Sequence, residues 1–464
     1  MTTPSFTHLF SFPEEIIDIL CQQLCPHCSE RASPRHFFRY EERKPAHDRN
    51  CLLALSLSCK ELRRISQPHL YHRPMGHGFF GFIDTIAGTP ALGRHVKELC
   101  LNEHMIRCLL LKYDDQVKFL AQCNKRYRTH LCEPAQTNQT APVDQFRNAT
   151  EYFGERRRIV GNAINCLMSV AVSLTPMLNK LEIHVESDWK LSSIPSGCLP
   201  NLKKLTITVS WSFPTDDLDG LAGLLDAAPR LERIELVNLE VRDATKKPKT
   251  SFCHDTVNEI TLRSCMLHIS QLEAIMRGFP KLQTFRIGAP NHCQRADTRS
   301  QDTALLYRIE DLLMLRSDTL KHLTLDFPGI HLDHPGEIVL QDLSGMKVLE
   351  TLYIDSGMLH RRWQGHRPGR SICQLLPTSI KEFGLMGSAY PLVHDEVLES
   401  INISASVFPL LKKVVVAEFG KKWLVDGDKW ERMFASACEA HNLELSSEVP
   451  RSSQGLALPE PYRD

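Results

Sequence analysis

The chain has 464 residues, 42% of them apolar, which is enough for a sizeable core and more than one ordinary domain holds. Lys and Arg number 55 and Asp and Glu number 55, so no net field draws the chain to nucleic acid or to an anionic membrane. Met1–Thr7 has no basic start, no apolar stretch follows it, and no apolar run nears the ~20 residues that span a bilayer, so the 16 cysteines are expected as reduced thiols in the cytoplasm or nucleus.

Residues 10–75 read as three helices. Ser11 and Glu14 have capping-box spacing, and Pro13 stands in the first turn, where its missing N–H is harmless. Ile16, Ile17, Leu20 and Leu24 then line one helical face. A second helix is expected after Asp48, through Leu52, Leu55 and Cys59. A short amphipathic piece with Leu62 and Ile65 follows, and Pro68 is expected to stop it. Between the first two helices, Cys25–Arg49 is rich in His, Arg and Pro with no apolar period, and reads as a long loop. Within it Cys25-Pro-His-Cys28 has zinc-ligand residue types, and Cys21, His36, His47 and Cys51 lie nearby. A structural zinc site shows two well-spaced ligand pairs. The expectation is therefore an ordinary loop, with no metal and no other cofactor.

Residues 76–101 read as a linker and a capping repeat: helical Phe82–Ile86, then Val96, Leu99 and Leu101 at strand spacing. Residues 102–150 read as an insertion, whose polar stretch Cys123–Asn148 is too poor in apolar residues for a core of its own and is expected to be a loop or partly disordered. Glu151–Thr175 is a helix candidate that opens a repeat array over residues 151–449. Further insertions are expected at Pro290–Thr303, Ile330–Asp342 and His360–Ser371, and residues 450–464 form a polar tail. Arg156–Arg158 and Lys246–Lys249 are short basic runs that read as solvated surface.

The array rests on an apolar-x-x-apolar-x-apolar rhythm that returns nine times between residues 178 and 416. It begins Leu178–Leu181–Ile183 and Leu202–Leu205–Ile207, and ends Ile380–Phe383–Leu385 and Leu411–Val414–Val416. Start-to-start spacings are 24, 29, 26, 25, 38, 29, 31 and 31 residues. The last two apolar positions alternate as in a strand. Pro176, Pro200, Pro229, Pro280 and Pro409 each stand two residues before the first apolar position and end the preceding helix. Leu218–Ala228 and Ile269–Phe279 supply amphipathic helices, with Leu221, Leu224, Leu225 and Leu272, Ile275, Met276 inward. Each unit is too small to bury its own apolar face, so neighbours must stack. The fold class expected is an α/β solenoid.

This rhythm resembles the leucine-rich repeat. Val257, Ile260, Leu262, Cys265 and Leu267 fit its longer pattern, whereas Leu239, Pro290 and Pro328 stand where other units would carry Asn or Cys, so the array is irregular. At the N-terminus, Phe12-Pro-Glu-Glu-Ile-Ile, Leu52–Leu55, Cys59-Lys-Glu-Leu-Arg-Arg-Ile and Pro68-His-Leu-Tyr71 together resemble an F-box. The two resemblances imply a three-helix F-box-like domain followed by an irregular leucine-rich-repeat horseshoe with parallel strands.

The same resemblance implies a non-catalytic substrate receptor of an SCF-type cullin–RING ubiquitin ligase. Its partners would be a Skp-family adaptor and a target protein of unknown identity. The adaptor face would be formed or supported by Pro13, Ile16, Ile17, Leu20, Leu53, Cys59, Leu62, Ile65, Pro68 and Tyr71. The long connection Cys25–Arg49 departs from the family and bears on whether the adaptor can dock. On the concave face of such an array, strand phase points Lys204, Thr206, Arg233, Glu235, Glu259, Thr261, Arg286, His322, Thr324 and Tyr353 outward as target contacts. Their mixed charges suit a protein and give no basic track for nucleic acid. No phosphate-binding glycine loop, nucleophile elbow or H-E-x-x-H pattern occurs, so no enzyme activity is expected. The alternatives are a leucine-rich-repeat scaffold without a ligase partner, and a metal-dependent enzyme with its site in the insertions.

Overall fold

The apolar-x-x-apolar-x-apolar units fold as strands, several of them entered through a tight turn. The computed structural model describes residues 12–29, 43–74, 79–110, 149–186, 194–210, 219–240, 253–265, 267–288, 309–327, 340, 342–355, 358, 372–386, 391–416 and 427–447. Ser11, residues 30–42, the polar stretch 123–148, most of the three later insertions, the basic run 246–249 and the tail 450–464 lie outside the described residues, as do the side chains of 156–158. The chain divides into two compact units, the first of residues 1–185, 189–205 and 223–230, the second of 186–188, 206–222 and 231–464.

The first unit opens with α1 (Glu14–Leu24), α2 (Arg43–Ser58) and α3 (Lys60–His72). Pro13 is the N-cap of α1, without a side-chain capping bond, and its carbonyl accepts from Ile16 N at 3.0 Å. Helix α2 starts at Arg43, earlier than expected, because polar Arg43–Asp48 carries no apolar period to reveal it and Pro45 falls within the first turn. Cys59 caps α3, its sulfur accepting from Leu62 N at 3.4 Å. Pro68 does not stop α3, which continues to His72. A proline removes one ladder bond from a helix; here Leu70 on the core and buried His69 hold the turn beyond it. The core of this region is Ile17, Cys21, Cys25, Leu52, Leu62 and Ile65.

Helices α4 (Phe79–Gly88) and α5 (Pro90–Gly93) lead to strand β1 (Glu98–Asn102). Helix α6 (Glu103–Leu110) and the long helix Ala149–Ser173 come before β2 (Lys180–Val185). Strands β1 and β2 pair in parallel, Leu99 opposite Leu181 and Leu101 opposite Ile183. Gly93 is needed where α5 meets the end of the long helix, since a Cβ there would lie 2.0 Å from the Leu174 carbonyl oxygen.

After β3 (Lys204–Val209), the second unit carries β4 (Arg233–Val237), β5 (Glu259–Arg263), β6 (Thr284–Gly288), β7 (His322–Asp326), β8 (Thr351–Asp355), β9 (Glu382–Met386), β10 (Lys413–Val416) and β11 (Glu444–Ser446). Within the second unit strand order follows chain order from β4 to β11, and every neighbour is parallel. Register stacks like on like: Ile234, Ile260, Phe285, Leu323, Leu352, Phe383 and Val414 form one buried row. Leu236, Leu262, Ile287, Leu325, Ile354, Leu385 and Val416 form the next. The inward side chains of Leu224, Leu225, Leu272, Ile275 and Met276 are buried, as the helical periodicity predicts.

Two devices recur at the strand entries. In Thr175–Leu178, Leu199–Leu202, Phe279–Leu282 and Phe408–Leu411 the first carbonyl accepts from the fourth N–H at 3.0–3.2 Å. Proline occupies the second position of each of these turns, where its fixed φ is already correct. The prolines thus build the turn as well as ending the helix. One carbonyl per repeat (Glu232, Asn258, Gln283, Lys321, Glu350 or Lys381) then accepts from two successive N–H groups of the next repeat. Helix alternating with parallel strand makes this an α/β array, and no helix among the described residues is long and apolar enough to cross a membrane.

Candidate functional site

The three N-terminal helices sort the ten residues of the expected adaptor face. Ile17, Leu62 and Ile65 are buried in the helical core and hold the helices together. Cys59 is the α3 cap, and Pro68 and Tyr71 are half-buried on α3. Pro13, Ile16, Leu20 and Leu53 are open to solvent, together with Ile19 and Leu57, which the sequence reading did not single out. Ile16, Ile19 and Leu20 share one side of α1, while Leu53 and Leu57 are one turn apart on α2. Leu57 is 75% exposed and the other four apolar side chains 41–49%. Two packed helices thus each leave apolar side chains open to solvent. Arg64 of α3 pairs with Glu14 at the start of α1 and with Glu61 on its own helix, tying the helix ends beside this face.

At the other end of α1 the fold joins residues that the sequence reading kept apart. Cys25 is the C-cap of α1, and Cys28 lies in the turn that follows it. His69 and His72 occupy the last turn of α3. One ligand atom from each of the four lies within 4.8 Å of all the others. Cys25 Sγ is 3.7 Å from His72 Nδ1, and Cys28 Sγ is 3.4 Å from His72 Nδ1 and 3.9 Å from His69 Nδ1. His69 is buried, and its Nε2 lies 2.8 Å from Asp18 Oδ1 on α1. A carboxylate only accepts, so Nε2 of His69 carries a proton, and Nδ1 is the ring nitrogen that faces the sulfurs. A second pair of residues with ligand-type side chains, His69-Leu-Tyr-His72, faces the first. Its H-x-x-H spacing was visible, but placing the helix end at Pro68 put both rings outside α3.

The electrostatics agree with this convergence. Burial opposes ionisation of Cys25, yet the ring nitrogens of His27, His69 and His72 outweigh it and hold the thiol well below its usual range. Burial, reinforced by Cys25, pushes Cys28 up. The His69 bond holds Asp18 below its ordinary value. Cys21, in the same core, is pushed up to about 11 by burial and behaves as a small hydrophobe. A smaller group, Cys100, Glu182 and His184, forms on β1 and β2. There Glu182 is already engaged by His184 at 2.9 Å and Lys180 at 3.8 Å, and burial pushes Cys100 up to about 12.

On the strands, the expected target-contact positions keep their predicted phase but not their exposure. Arg233 and His322 are open to solvent, and Lys204, Glu235, Glu259 and Arg286 are partly so. Thr206, Thr261, Thr324 and Tyr353 are buried. Register explains this: Thr261 sits between Glu235 and Arg286, and Thr324 between Arg286 and Tyr353, so longer neighbours overlay the short side chains. Tyr353 lies across Gly384 and donates to Glu382 Oε1 at 2.6 Å. The charges pair across strands: Glu259 meets Arg233 at 3.4 Å and Arg286 at 3.0 Å, and Lys413 reaches Glu382 at 3.6 Å and Glu444 at 3.0 Å. The outer surface here is a neutralised ladder. Neither a known protein family nor a curated protein matches this chain.

Proposed function

We propose that the protein is a non-catalytic substrate receptor of a cullin–RING ubiquitin ligase, its N-terminal helices docking a Skp-family adaptor and its strand array holding a target protein. The observation that supports this most is the apolar face of Ile16, Ile19, Leu20, Leu53 and Leu57 on helices whose opposite sides form the core. The F-box-like order of Pro13, Cys59 and Pro68–Tyr71 supplies the identity of the partner, and the resemblance of the array to leucine-rich repeats supplies the role of the remainder. The contribution to ubiquitin transfer is proximity: two reactants held together replace a bimolecular encounter.

The test is co-purification of the full chain with a Skp-family adaptor. The exposed pair Ile16→Asp and Leu20→Asp should weaken binding at least about a hundredfold, since each side chain is worth about 1.5–3 kcal/mol when fully buried and 1.4 kcal/mol is tenfold. The chain should stay folded, because both side chains face solvent in the free protein. Ile17→Asp would strike the core and is no measure of docking. No adaptor binding by the wild-type chain would leave a scaffold with an F-box-like cap.

A further inference from the structure

We infer that Cys25, Cys28, His69 and His72 bind one zinc ion, which fastens the end of α1 to the last turn of α3. Zn–S bonds of about 2.3 Å and Zn–N bonds of about 2.0 Å set sulfur and nitrogen about 3.5 Å apart on the edges of a tetrahedron. Three of the four sulfur–nitrogen distances are 3.4, 3.7 and 3.9 Å, and all four ligand atoms lie within 4.8 Å of one another. One imidazole nitrogen approaching two sulfurs at nearly equal range describes a shared centre better than a chain of pairwise hydrogen bonds. Two thiolates and two imidazoles select zinc among the common divalent ions, and four protein ligands leave no open position, so the site is structural and not catalytic.

Three further observations point the same way. Asp18 supplies the outer carboxylate that orients a metal-bound histidine, 2.8 Å from His69 Nε2. Cys25 and His69 are buried, so a ring and a sulfur have been withdrawn from water to face each other. Both ligand pairs sit at helix C-termini, where the carbonyl ends of α1 and α3 favour a cation. The pair His47 and Cys51 on α2, 3.7 Å apart and largely exposed, supplies only two ligands. His27 lies 3.6 Å from Cys28 and packs edge-on against His72, outside the four-atom set. On binding, Zn²⁺ replaces the thiol protons, which leave to solvent, and no electrons are transferred.

The test uses the full chain purified with a reductant and without chelator, with zinc counted per chain by elemental analysis. One zinc per chain is expected, falling below about a tenth in Cys28→Ser and in His72→Ala and unchanged in His27→Ala. Because a ligand variant can fail to fold, cobalt(II) is also titrated into the metal-stripped wild-type chain. A tetrahedral spectrum with thiolate charge transfer is the expected result. A reduced, soluble wild-type chain that takes up neither metal overturns the inference, as does an octahedral cobalt spectrum or zinc retained in both ligand variants. Zinc binding does not depend on adaptor docking: a chain that binds zinc and no adaptor would overturn the functional reading alone.

Discussion

Adjacent leucines on α2 separate the two demands made on the N-terminal helices. Leu52 is 0% exposed and Leu53 46% exposed. Leu52→Ala should cost about 2–5 kcal/mol in urea unfolding of this region, the usual result of an unfilled core site. Leu53→Ala should stay within about 0.5 kcal/mol and instead weaken adaptor binding. Equal destabilisation by the two would sink the assignment of faces. A second single-residue effect sits at the end of β7, where burial pushes the Asp326 carboxyl up to about 6. A raised carboxyl pKa means that the folded state holds the proton more tightly than the unfolded chain. The penalty is absent below the unfolded value near 3.8 and grows until pH passes about 6. Asp326→Asn should therefore stabilise the protein at pH 7.5 by about 1–2 kcal/mol, a share of the full shift because the side chain keeps some solvent contact, and by almost nothing at about pH 3, below the unfolded value. Thermal melts at the two pH values check this, and a gain equal at both would refute it.

At the scale of elements, α3 shows what could be read in advance and what could not. Its apolar residues Leu62 and Ile65 were placed by period alone, and both lie in the core. Its C-terminal turn was missed because a proline is a local signal and the packing of His69 and Leu70 is not. The start of α2 was missed for the converse reason: a polar first turn has no period to detect. The strands were the most legible elements, since alternation, proline phase and leucine spacing all agreed, and the registers follow that phase. Burial of Thr261, Thr324 and Tyr353 was not legible, because it depends on which long side chains stand on the neighbouring strands. Tyr353 gives the sharpest case. A Cβ at Gly384 would lie 2.3 Å from its ring, so Gly384→Ala should destabilise by about 1–3 kcal/mol, and Tyr353→Ser in the same chain should recover most of that loss. A double-mutant cycle with no coupling would refute the contact.

At the scale of the whole molecule, strands that pair only with their sequence neighbours make stability a local quantity. A chain ending at Val416 loses the helix Gly427–Ala440 and β11, and leaves β10 as an edge. Hydrogen exchange should then lose protection in β10 and in the helix Pro391–Asn402, and keep it in α1, α2 and α3. Uniform loss along the chain would show a cooperativity that nearest-neighbour pairing does not supply. The constant register carries a wider consequence. Ile234 stands opposite Ile260 and Phe285 opposite Leu323, so connections that advance the chain by 26 and 38 residues deliver the same alignment. Closing the longer one costs only about 0.3 kcal/mol more. Insertions between strands are thus nearly free to accumulate over evolutionary time. The strand face can stay fixed while the rims diverge, and the same joints are where foreign segments could be grafted.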